Sequence, residues 1–226
     1  MGSFRQETLN GNTHDGSRAA LYQVDPPSLY AGRVKPKADK MLAALLLVLC
    51  APILLSCMAV VRVFIGSPVI FRQQRVGLGG RTFELLKLRT MIPDRRTGAE
   101  SGYSGPERRV THKSPADPRV LPVGAVLRAL RLDELPQLWN VITGDMSLVG
   151  PRPEIPEIVD DYEDWQHARH TVKPGITGLW QVEAPPGRLM HECTELDLQY
   201  IDDLSLRTDL EILLRTPLVA FRRQGY

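Results

Sequence analysis

Residues 41–61 read MLAALLLVLCAPILLSCMAVV and contain no charged side chain. An α-helix rises about 1.5 Å per residue, so this run is long enough to cross the roughly 30 Å of hydrocarbon in a bilayer. About forty residues precede the run, far more than the short basic segment that opens a cleaved secretory signal. The run therefore predicts a membrane anchor that stays attached to the chain.

Basic residues flank the apolar run on both sides, among them Lys35 and Lys40 before it and Arg62 after it. Because Lys and Arg collect on the cytoplasmic face of a membrane, two basic flanks favour a re-entrant hairpin with both ends on that face. Pro52 lacks an N–H donor and can break the helix near its middle, where Ser56 can serve a freed carbonyl. Proline also occurs in helices that cross the bilayer, so the residues alone leave a single crossing equally open.

The overall composition is that of a globular domain and argues against nucleic-acid binding. The 226 residues include 28 Lys plus Arg and 26 Asp plus Glu, for a net charge of only +2. Three cysteines cannot close a disulfide framework, which indicates a reducing compartment. The polar start of the chain shows neither a helical nor a strand period, and we expect a flexible tail over residues 1–34.

Residues 67–91 predict a β-hairpin, because two runs of alternating apolar and polar side chains are separated by Gly77, Gly79 and Gly80. With a period of two, Lys87 and Arg89 lie on the same side of the second strand. They are candidates for contact with an anionic substrate or with lipid phosphates, and the residues do not distinguish the two. A basic loop is predicted over residues 93–118.

The candidate chemistry lies between two predicted helices. Apolar spacing ends the first helix near Arg131, and Pro136 opens the second. Asp133 and Glu134 then lie at the N-terminus of the second helix, where free N–H groups and the helix dipole stabilise negative charge. For an isolated acidic pair, simple capping of the helix is a commoner explanation than catalysis, and the residues alone do not exclude either.

Two further sequence features lie in the C-terminal third of the chain. His167 and His170 have no carboxylate or third histidine that would complete a metal site, so we expect both on the surface. The leucines between residues 196 and 214 follow a helical period, with acidic residues and Arg between them. Such helices suit either the core or a membrane interface.

The segment LDELPQLWNVITGDMSLVGPRPE, residues 132–154, closely resembles the signature of the bacterial sugar transferase family, the monotopic phosphoglycosyl transferases. The similarity continues in SPVIFRQQRVG and FELLKLRTM upstream, and in VKPGITGLWQV and ELDLQYIDDLSLRTDLEILLRT downstream. It covers residues 37–216. We therefore identify the chain by this resemblance as a member of the family.

The resemblance implies a phosphoglycosyl transferase with a two-step reaction at the carboxylate pair. The residue that matches the family's first acid, Asp133, attacks the β-phosphate of a UDP-sugar, expels UMP and carries the sugar phosphate as a covalent aspartyl intermediate. Polyprenol (undecaprenyl) phosphate then takes the sugar phosphate, giving polyprenyl-diphosphate-sugar, and Glu134 acts on the lipid phosphate or its proton. This is a first membrane step of bacterial glycoconjugate synthesis, such as that of exopolysaccharide, capsule, O-antigen or glycoprotein.

Further site residues follow from the same match. Lys87, Arg128 and Arg152 stand at the family's basic positions and are expected to bind phosphate oxygens. Mg²⁺ is the expected cofactor and Asp133 its expected ligand, because a carboxylate must approach a diphosphate. Arg131 departs from the family's usual small hydroxyl residue two positions before the Asp, which bears on substrate choice rather than on reaction type.

The resemblance also implies a fold class and a topology. The expected fold is α+β and helix-dominated, with a small β-hairpin and amphipathic interfacial helices. A re-entrant helix-break-helix over residues 35–65 places both ends on the cytoplasmic side of the bacterial inner membrane, and the catalytic domain spans residues 66–226. Asp39 and Pro52 keep the family spacing, while Ala51 stands where the family usually has serine.

The expected partners are a UDP-sugar donor, the polyprenol phosphate acceptor and membrane lipids, with no nucleic acid. The sequence does not identify the sugar, and a homo-oligomer stays open. The alternative is a membrane-anchored scaffold that retains the fold without turnover. The intact Asp133–Glu134 pair argues against that alternative.

Overall fold

The computed structural model describes residues 28–92, 119–185 and 188–222. The helices are α1 (Lys35–Phe64), α2 (Pro122–Ala129), α3 (Gln137–Thr143), α4 (Pro156–Val159), α5 (Leu179–Glu183), α6 (Thr194–Asp202) and α7 (Leu206–Arg222). The strands are β1 (Ile70–Val76), β2 (Thr82–Leu88), β3 (Ser147–Val149) and β4 (Gly175–Thr177). This confirms the predicted helix-dominated α+β chain. The basic loop predicted over residues 93–118 lies outside the described residues.

Helix α1 contains the apolar run. Within the described residues, Tyr30–Phe64 is the one helical stretch long and apolar enough to cross a membrane, and little of its most apolar part is buried in the protein. Residues 30–34, expected in the flexible tail, instead form a π-helical turn that continues into α1. Tyr30 holds this turn in place, because its hydroxyl donates to Asp209 Oδ2 at 2.6 Å. The rest of the predicted tail, residues 1–27, is outside the described part of the chain.

The predicted break of the helix at Pro52 is wrong: Pro52 lies inside α1, and residues on both of its sides belong to one helix. The proline ring removes the N–H that would bond the carbonyl of Val48, four residues back. The sequence predicts that the Ser56 hydroxyl serves one of the carbonyls freed in this way. It donates instead to the carbonyl of Pro52 itself, at 2.8 Å. A serine one turn further along a helix reaches back four residues, so it cannot span two turns to Val48.

The start of α1 is fixed to the rest of the protein by buried polar contacts. Lys35 Nζ donates to Asp209 Oδ2 of α7 at 2.6 Å, and the hydroxyl of Ser147 in β3 donates to Asp39 Oδ2 at 2.5 Å. Tyr200 also donates to Asp209, through Oδ1, at 2.8 Å. Because both partners of the Lys35–Asp209 pair are buried, loss of either would leave an uncompensated charge.

Two apolar clusters hold α1 against the other elements. The larger cluster buries Ala43 of α1 together with residues of α3, β3, α5 and α7, including Val141, Leu148, Leu179 and Ile212. The smaller buries Cys57 and Val61, further along α1, against Leu88 of β2 and Leu127 of α2. Both ends of the anchor helix therefore contact the same folded unit.

The predicted hairpin is confirmed. Strands β1 and β2 pair in antiparallel register from Ile70 opposite Leu88 to Val76 opposite Thr82. Gly79 and Gly80 in the turn have φ of 66° and 74°, the left-handed region that glycine adopts without strain. Beyond the hairpin, β3 and β4 form a short parallel pair.

Helix α7 is amphipathic, as the helical period predicted. Its inner face buries Ile212 in the larger core and Asp209 in the polar contacts of α1. Its outer face carries an exposed leucine at every fourth position, namely Leu206, Leu210, Leu214 and Leu218. Exposed apolar side chains also cover much of α1, so the protein presents an extensive apolar surface.

Candidate active site

The acidic pair lies in a short connection between α2 and α3. Helix α2 ends where Arg131 takes a left-handed backbone conformation, with φ of 57°, and a 3₁₀ turn follows over Leu132–Glu134. Pro136 then leads into α3, which stops at Gly144 with φ of 98°. The predicted helix ends near Arg131 and Pro136 are confirmed. The connection places Asp133 and Glu134 directly before α3.

Two cations bind one oxygen of Glu134. Oε1 accepts hydrogen bonds from Lys87 Nζ at 3.1 Å and from Arg152 Nη2 at 3.0 Å. Burial opposes ionisation of Glu134, but the attraction of Arg152 and Lys87 outweighs it and lowers the pKa of Glu134 below its usual range. The pair with Glu134 in turn raises the pKa of Arg152. Glu134 is therefore a firmly ionised carboxylate.

The neighbouring Asp133 has a different environment. It is buried, and no donor among the described residues bonds its carboxylate oxygens. Burial and the charge of Glu134 raise the pKa of Asp133, against the opposing pull of Lys87, Arg128 and Arg152. Two adjacent carboxylates thus have pKa values shifted in opposite directions, an arrangement that separates chemical roles.

Arg128 acts on the acidic pair, whereas Arg89 has another partner. Helix α2 lies so close to the end of β2 that a Cβ atom on Gly124 would approach the carbonyl oxygen of Thr90 to 2.1 Å. This contact brings Arg128 Nε to 2.7 Å from the Thr90 hydroxyl, and the Arg128 charge acts on Asp133. Arg89 instead donates to the carbonyl of Ser67 at 2.8 Å. Of the two basic residues predicted to share a face of β2, only Lys87 reaches the site.

A turn with every carbonyl bonded holds Arg152. The carbonyl of Pro151 accepts from Gly175 N at 2.8 Å, that of Arg152 from Arg169 Nη2 at 2.7 Å, that of Pro153 from Arg75 Nη1 at 3.2 Å, and that of Glu154 from Val76 N at 2.9 Å. The two prolines also restrict the backbone φ angles of the turn. The Arg152 side chain therefore leaves a fixed backbone to meet Glu134.

Two buried ion pairs behind this turn were not found by sequence reasoning. Arg169 lies 2.7 Å from Asp197 Oδ2, with both side chains almost fully buried, and Arg75 lies 3.3 Å from Glu154 Oε1. Each guanidinium holds a carbonyl of the turn and is neutralised by its carboxylate. Nothing in the sequence distinguishes these charges from surface charges, because burial depends on the packing of α4, α6 and β1.

The expectation of surface histidines was wrong. His167 and His170 are both buried, and the His170 ring stacks on Tyr162 with the ring centroids 6.1 Å apart and the planes 12° apart. Burial and the nearby Arg169 lower the pKa of His170 to about 3, so this imidazole is neutral. Both rings lie in the 3₁₀ segment Asp164–Thr171, which also carries Arg169 inward. Both rings contact Tyr162, and they lie in the same segment as Arg169, which donates to the Arg152 carbonyl.

The donor set around Asp133 fits a cation that shares its ligands with a substrate. No group of three His, Cys, Asp or Glu side chains suitable for a metal occurs in the part of the chain that the structure describes. Mg²⁺, however, is commonly held by one or two carboxylates together with substrate phosphates and water. The unbonded Asp133 carboxylate meets that requirement, whereas Glu134 Oε1 already binds two cations.

The charges of the site favour an anionic substrate. Lys87, Arg128, Arg131 and Arg152 surround two carboxylates, which leaves an excess of two positive charges. Guanidinium and ammonium groups in such a cluster suit phosphate oxygens. The site thus combines a carboxylate pair, an excess of positive charge and, in the same chain, a helix apolar and long enough for a membrane.

Comparison with known proteins gives the family. The family model described as bacterial sugar transferase matches residues 30–223. The chain belongs to the bacterial sugar transferase family, and it is an enzyme of the phosphoglycosyl transferase class, as the resemblance predicted.

Three relatives illustrate the family's range. The exopolysaccharide production protein ExoY of Rhizobium meliloti (strain 1021) is 38% identical over 201 residues, covering 86% of this chain and 89% of that protein. A UDP-glucose:undecaprenyl-phosphate glucose-1-phosphate transferase of Caulobacter vibrioides is 43% identical over 187 residues, covering 79% of this chain and 66% of that protein. A UDP-N-acetylgalactosamine-undecaprenyl-phosphate N-acetylgalactosaminephosphotransferase of Aeromonas hydrophila is 35% identical over 225 residues, covering 93% of this chain and 49% of that protein.

Proposed function

We propose that this enzyme transfers a sugar 1-phosphate from a UDP-sugar to undecaprenyl phosphate, giving undecaprenyl-diphosphate-sugar and UMP. The observation that carries the proposal is the contrast within the acidic pair, where Asp133 accepts no hydrogen bond from the described residues and Glu134 is held by two cations. Relatives named for undecaprenyl-phosphate transfer of glucose and N-acetylgalactosamine phosphates support it. The relative named for exopolysaccharide production supports a place at the first membrane step of such a polymer.

In the first step, a carboxylate oxygen of Asp133 attacks the β-phosphorus of the UDP-sugar. The bond from that phosphorus to the oxygen bridging the two phosphates breaks, and UMP leaves with the oxygen and its electron pair. The raised pKa of Asp133 makes it the more basic and therefore the more nucleophilic of the two acids. Arg128, Lys87 and Arg152 would neutralise the phosphoryl oxygens during the attack.

In the second step, a phosphate oxygen of undecaprenyl phosphate attacks the same phosphorus. The bond between phosphorus and Asp133 breaks, which restores the carboxylate and completes the lipid diphosphate. The lowered pKa of Glu134 makes it a poor proton acceptor. We therefore give Glu134 the role of orienting Lys87 and Arg152 toward the phosphates, rather than that of a base.

Mg²⁺ would be held by Asp133 together with diphosphate oxygens of the donor. When bound, it would supply neutralisation of the diphosphate charge as the carboxylate approaches. The residues of the chain still carry the positioning, because Lys87 and Arg152 are held by Glu134 without the ion.

We also propose a monotopic topology in which α1 enters and leaves the membrane on the cytoplasmic side. The support is that Lys35 and Asp39 near its start, and Cys57 and Val61 near its end, all contact one folded unit. A helix crossing the bilayer would separate these two sets of contacts by the membrane. The exposed leucines of α7 and the exposed apolar side chains of α1 would face the lipid.

Release of UMP tests the reaction directly. Purified full-length protein in nanodiscs would be given Mg²⁺, undecaprenyl phosphate and each of a panel of UDP-sugars, namely UDP-glucose, UDP-galactose and their N-acetylamino forms. We expect UMP release with a subset of these donors, and a loss of at least about 10³-fold in Asp133→Asn, because the amide is not a nucleophile. The exposed Asp160 offers the matched control, and Asp160→Asn is expected to keep full activity.

Two results would argue against this function. Equal UMP release by Asp133→Asn would exclude a covalent role for Asp133. Silence of the folded protein across the donor panel, with unaltered growth and polysaccharide in cells carrying Asp133→Asn, would favour the scaffold alternative.

The topology has a separate measurement. Single cysteines placed at Arg33 and Gly66, in a chain whose own cysteines are replaced by alanine, flank α1 on either side. In spheroplasts, a membrane-impermeant maleimide is expected to label neither position until the membrane is opened. Labelling of one position from outside would show that α1 crosses the bilayer.

A further inference from the structure

Arg131 stands out by its backbone. Among the described residues it is the one non-glycine residue with positive φ, at 57°. The position directly after a helix end usually carries glycine, because a side chain in the left-handed region costs about 1–2 kcal/mol. Such an outlier beside a reactive group points to a role for the side chain.

The guanidinium of Arg131 is close to the acidic pair but not bonded to it. Its Nη1 lies 4.0 Å from Oε2 of Glu134, and 42% of the side chain is exposed. The other oxygen of Glu134 already accepts from Lys87 and Arg152. Arg131 therefore has donors to offer to an anion that approaches the rim of the site.

The surface around Arg131 indicates which anion approaches there. Helix α2 packs one face on α1 through Leu127, which is buried against Cys57 and Val61. The side chains of Val126 and Leu130, one turn apart, are exposed and lead directly to Arg131. An exposed apolar strip beside a membrane helix suits hydrocarbon. A phosphate arriving from this side would carry a lipid chain.

We propose that Arg131 binds the phosphate of the lipid acceptor and so helps to determine acceptor use, an inference that rests on the function proposed above. The apolar strip of Val126 and Leu130 takes the first part of the isoprenoid chain. The donor diphosphate lies on the other side of the acidic pair, against Arg152. Arg131 thus serves the second step and not the first.

The two half-reactions separate these roles. In the absence of acceptor, the amount of UMP released in a single turnover reports the first step. With acceptor present, KM for undecaprenyl phosphate reports the second. For Arg131→Ser we expect unchanged single-turnover UMP release and an unchanged KM for the UDP-sugar. We expect KM for undecaprenyl phosphate to rise about tenfold, the effect of one lost charged hydrogen bond.

Three control variants separate charge from backbone effects. Arg131→Gly removes the same charge but suits the left-handed backbone, so it should show the same tenfold rise without loss of thermal stability. Arg131→Lys keeps the charge and should recover most of the acceptor affinity. Arg72→Ser removes an exposed arginine that pairs with Glu84 on the hairpin, and it should leave both KM values unchanged.

A binding measurement keeps the inference testable apart from turnover. Undecaprenyl phosphate should bind the detergent-solubilised wild-type chain about tenfold more tightly than Arg131→Ser. A rise in KM for the UDP-sugar alone, or equal acceptor binding by both proteins, would overturn the role of Arg131 while leaving the proposed reaction intact. Absence of UMP release by the wild-type chain would instead count against the reaction itself.

Discussion

The two sides of the acidic pair are built differently. On one side, each carbonyl from Pro151 to Glu154 accepts a hydrogen bond, and the arginines behind the turn are neutralised by buried carboxylates. On the other side, Arg131 follows α2 in a left-handed conformation, half in solvent and 4.0 Å from Glu134. The first side is fixed by its hydrogen bonds, and the second is open.

Under the proposed function, this difference corresponds to two kinds of substrate. A soluble nucleotide sugar is best bound by donors that already stand in position, since no reorganisation is then needed as charge develops. A lipid that arrives laterally through the membrane needs an accessible edge. The contrast between Arg152 and Arg131 shows that one basic cluster can contain an arginine on a fixed backbone and an arginine that is exposed at its edge.

The largest expected effect comes from breaking the fixed side. Arg169→Met removes the donor to the Arg152 carbonyl and leaves Asp197 buried without its cation. Loss of one partner of a buried pair costs about 3–5 kcal/mol. Chemical denaturation in detergent should therefore show a large fall in the free energy of unfolding, accompanied by a fall in kcat.

A double variant separates stability from positioning. Arg169→Met with Asp197→Leu replaces both charges by apolar groups, and it should recover most of the stability. It should not recover kcat, because the Arg152 carbonyl still lacks its donor. Recovery of both would show that Arg169 acts on the fold alone. The exposed pair Arg207–Glu211 is the matched control, and Arg207→Met should leave the melting temperature unchanged.

A smaller effect on the free energy of unfolding should appear as the pH is lowered. The pKa of His170 in the folded protein is about 3, below the usual value near 6.5. Between these values the unfolded chain binds more protons than the folded one, so stability falls as the pH drops from about 6.5 toward 3. The His170 ring lines a small cavity together with Arg152 and Pro153. The loss of stability at low pH should therefore affect the side of the site that holds Arg152.

His170→Phe isolates that contribution, because it keeps the ring stack on Tyr162 but removes the titrating group. The free energy of unfolding of the variant should depend less steeply on pH below 6.5. Burial raises the pKa of Asp197 to about 6, which gives a contribution of opposite sign that is lost as pH rises through 6. Both proteins carry Asp197, so the difference between their curves reports His170. Identical curves would contradict a buried neutral His170.

Local signals made much of the fold predictable. Pro136 and Gly144 delimit α3, and glycines close the hairpin, because each of these residues acts on the backbone where it stands. Within the site, position drew attention to Asp133 and Glu134, and the family resemblance assigned their chemistry and added Lys87, Arg128 and Arg152. The structure brings the three basic residues together around the acidic pair.

What escaped prediction depends on contacts between distant elements. Arg169 and Asp197 belong to different helical segments, and their pairing exists only once those segments pack. His170 reads as a polar surface residue until Tyr162 covers it. Residues 30–34 read as tail because Tyr30 has no local partner, and its bond to Asp209 joins the two ends of the described chain.

The attachment of α1 bears on how the protein is made. Ala43 is completely buried in the main core, and Lys35 and Asp39 are bonded to α7 and β3. The anchor is thus a structural part of the enzyme and not a tether that can be removed. A nascent chain therefore completes its core only with α1 in place, and we expect a chain without α1 to fail to form the active site.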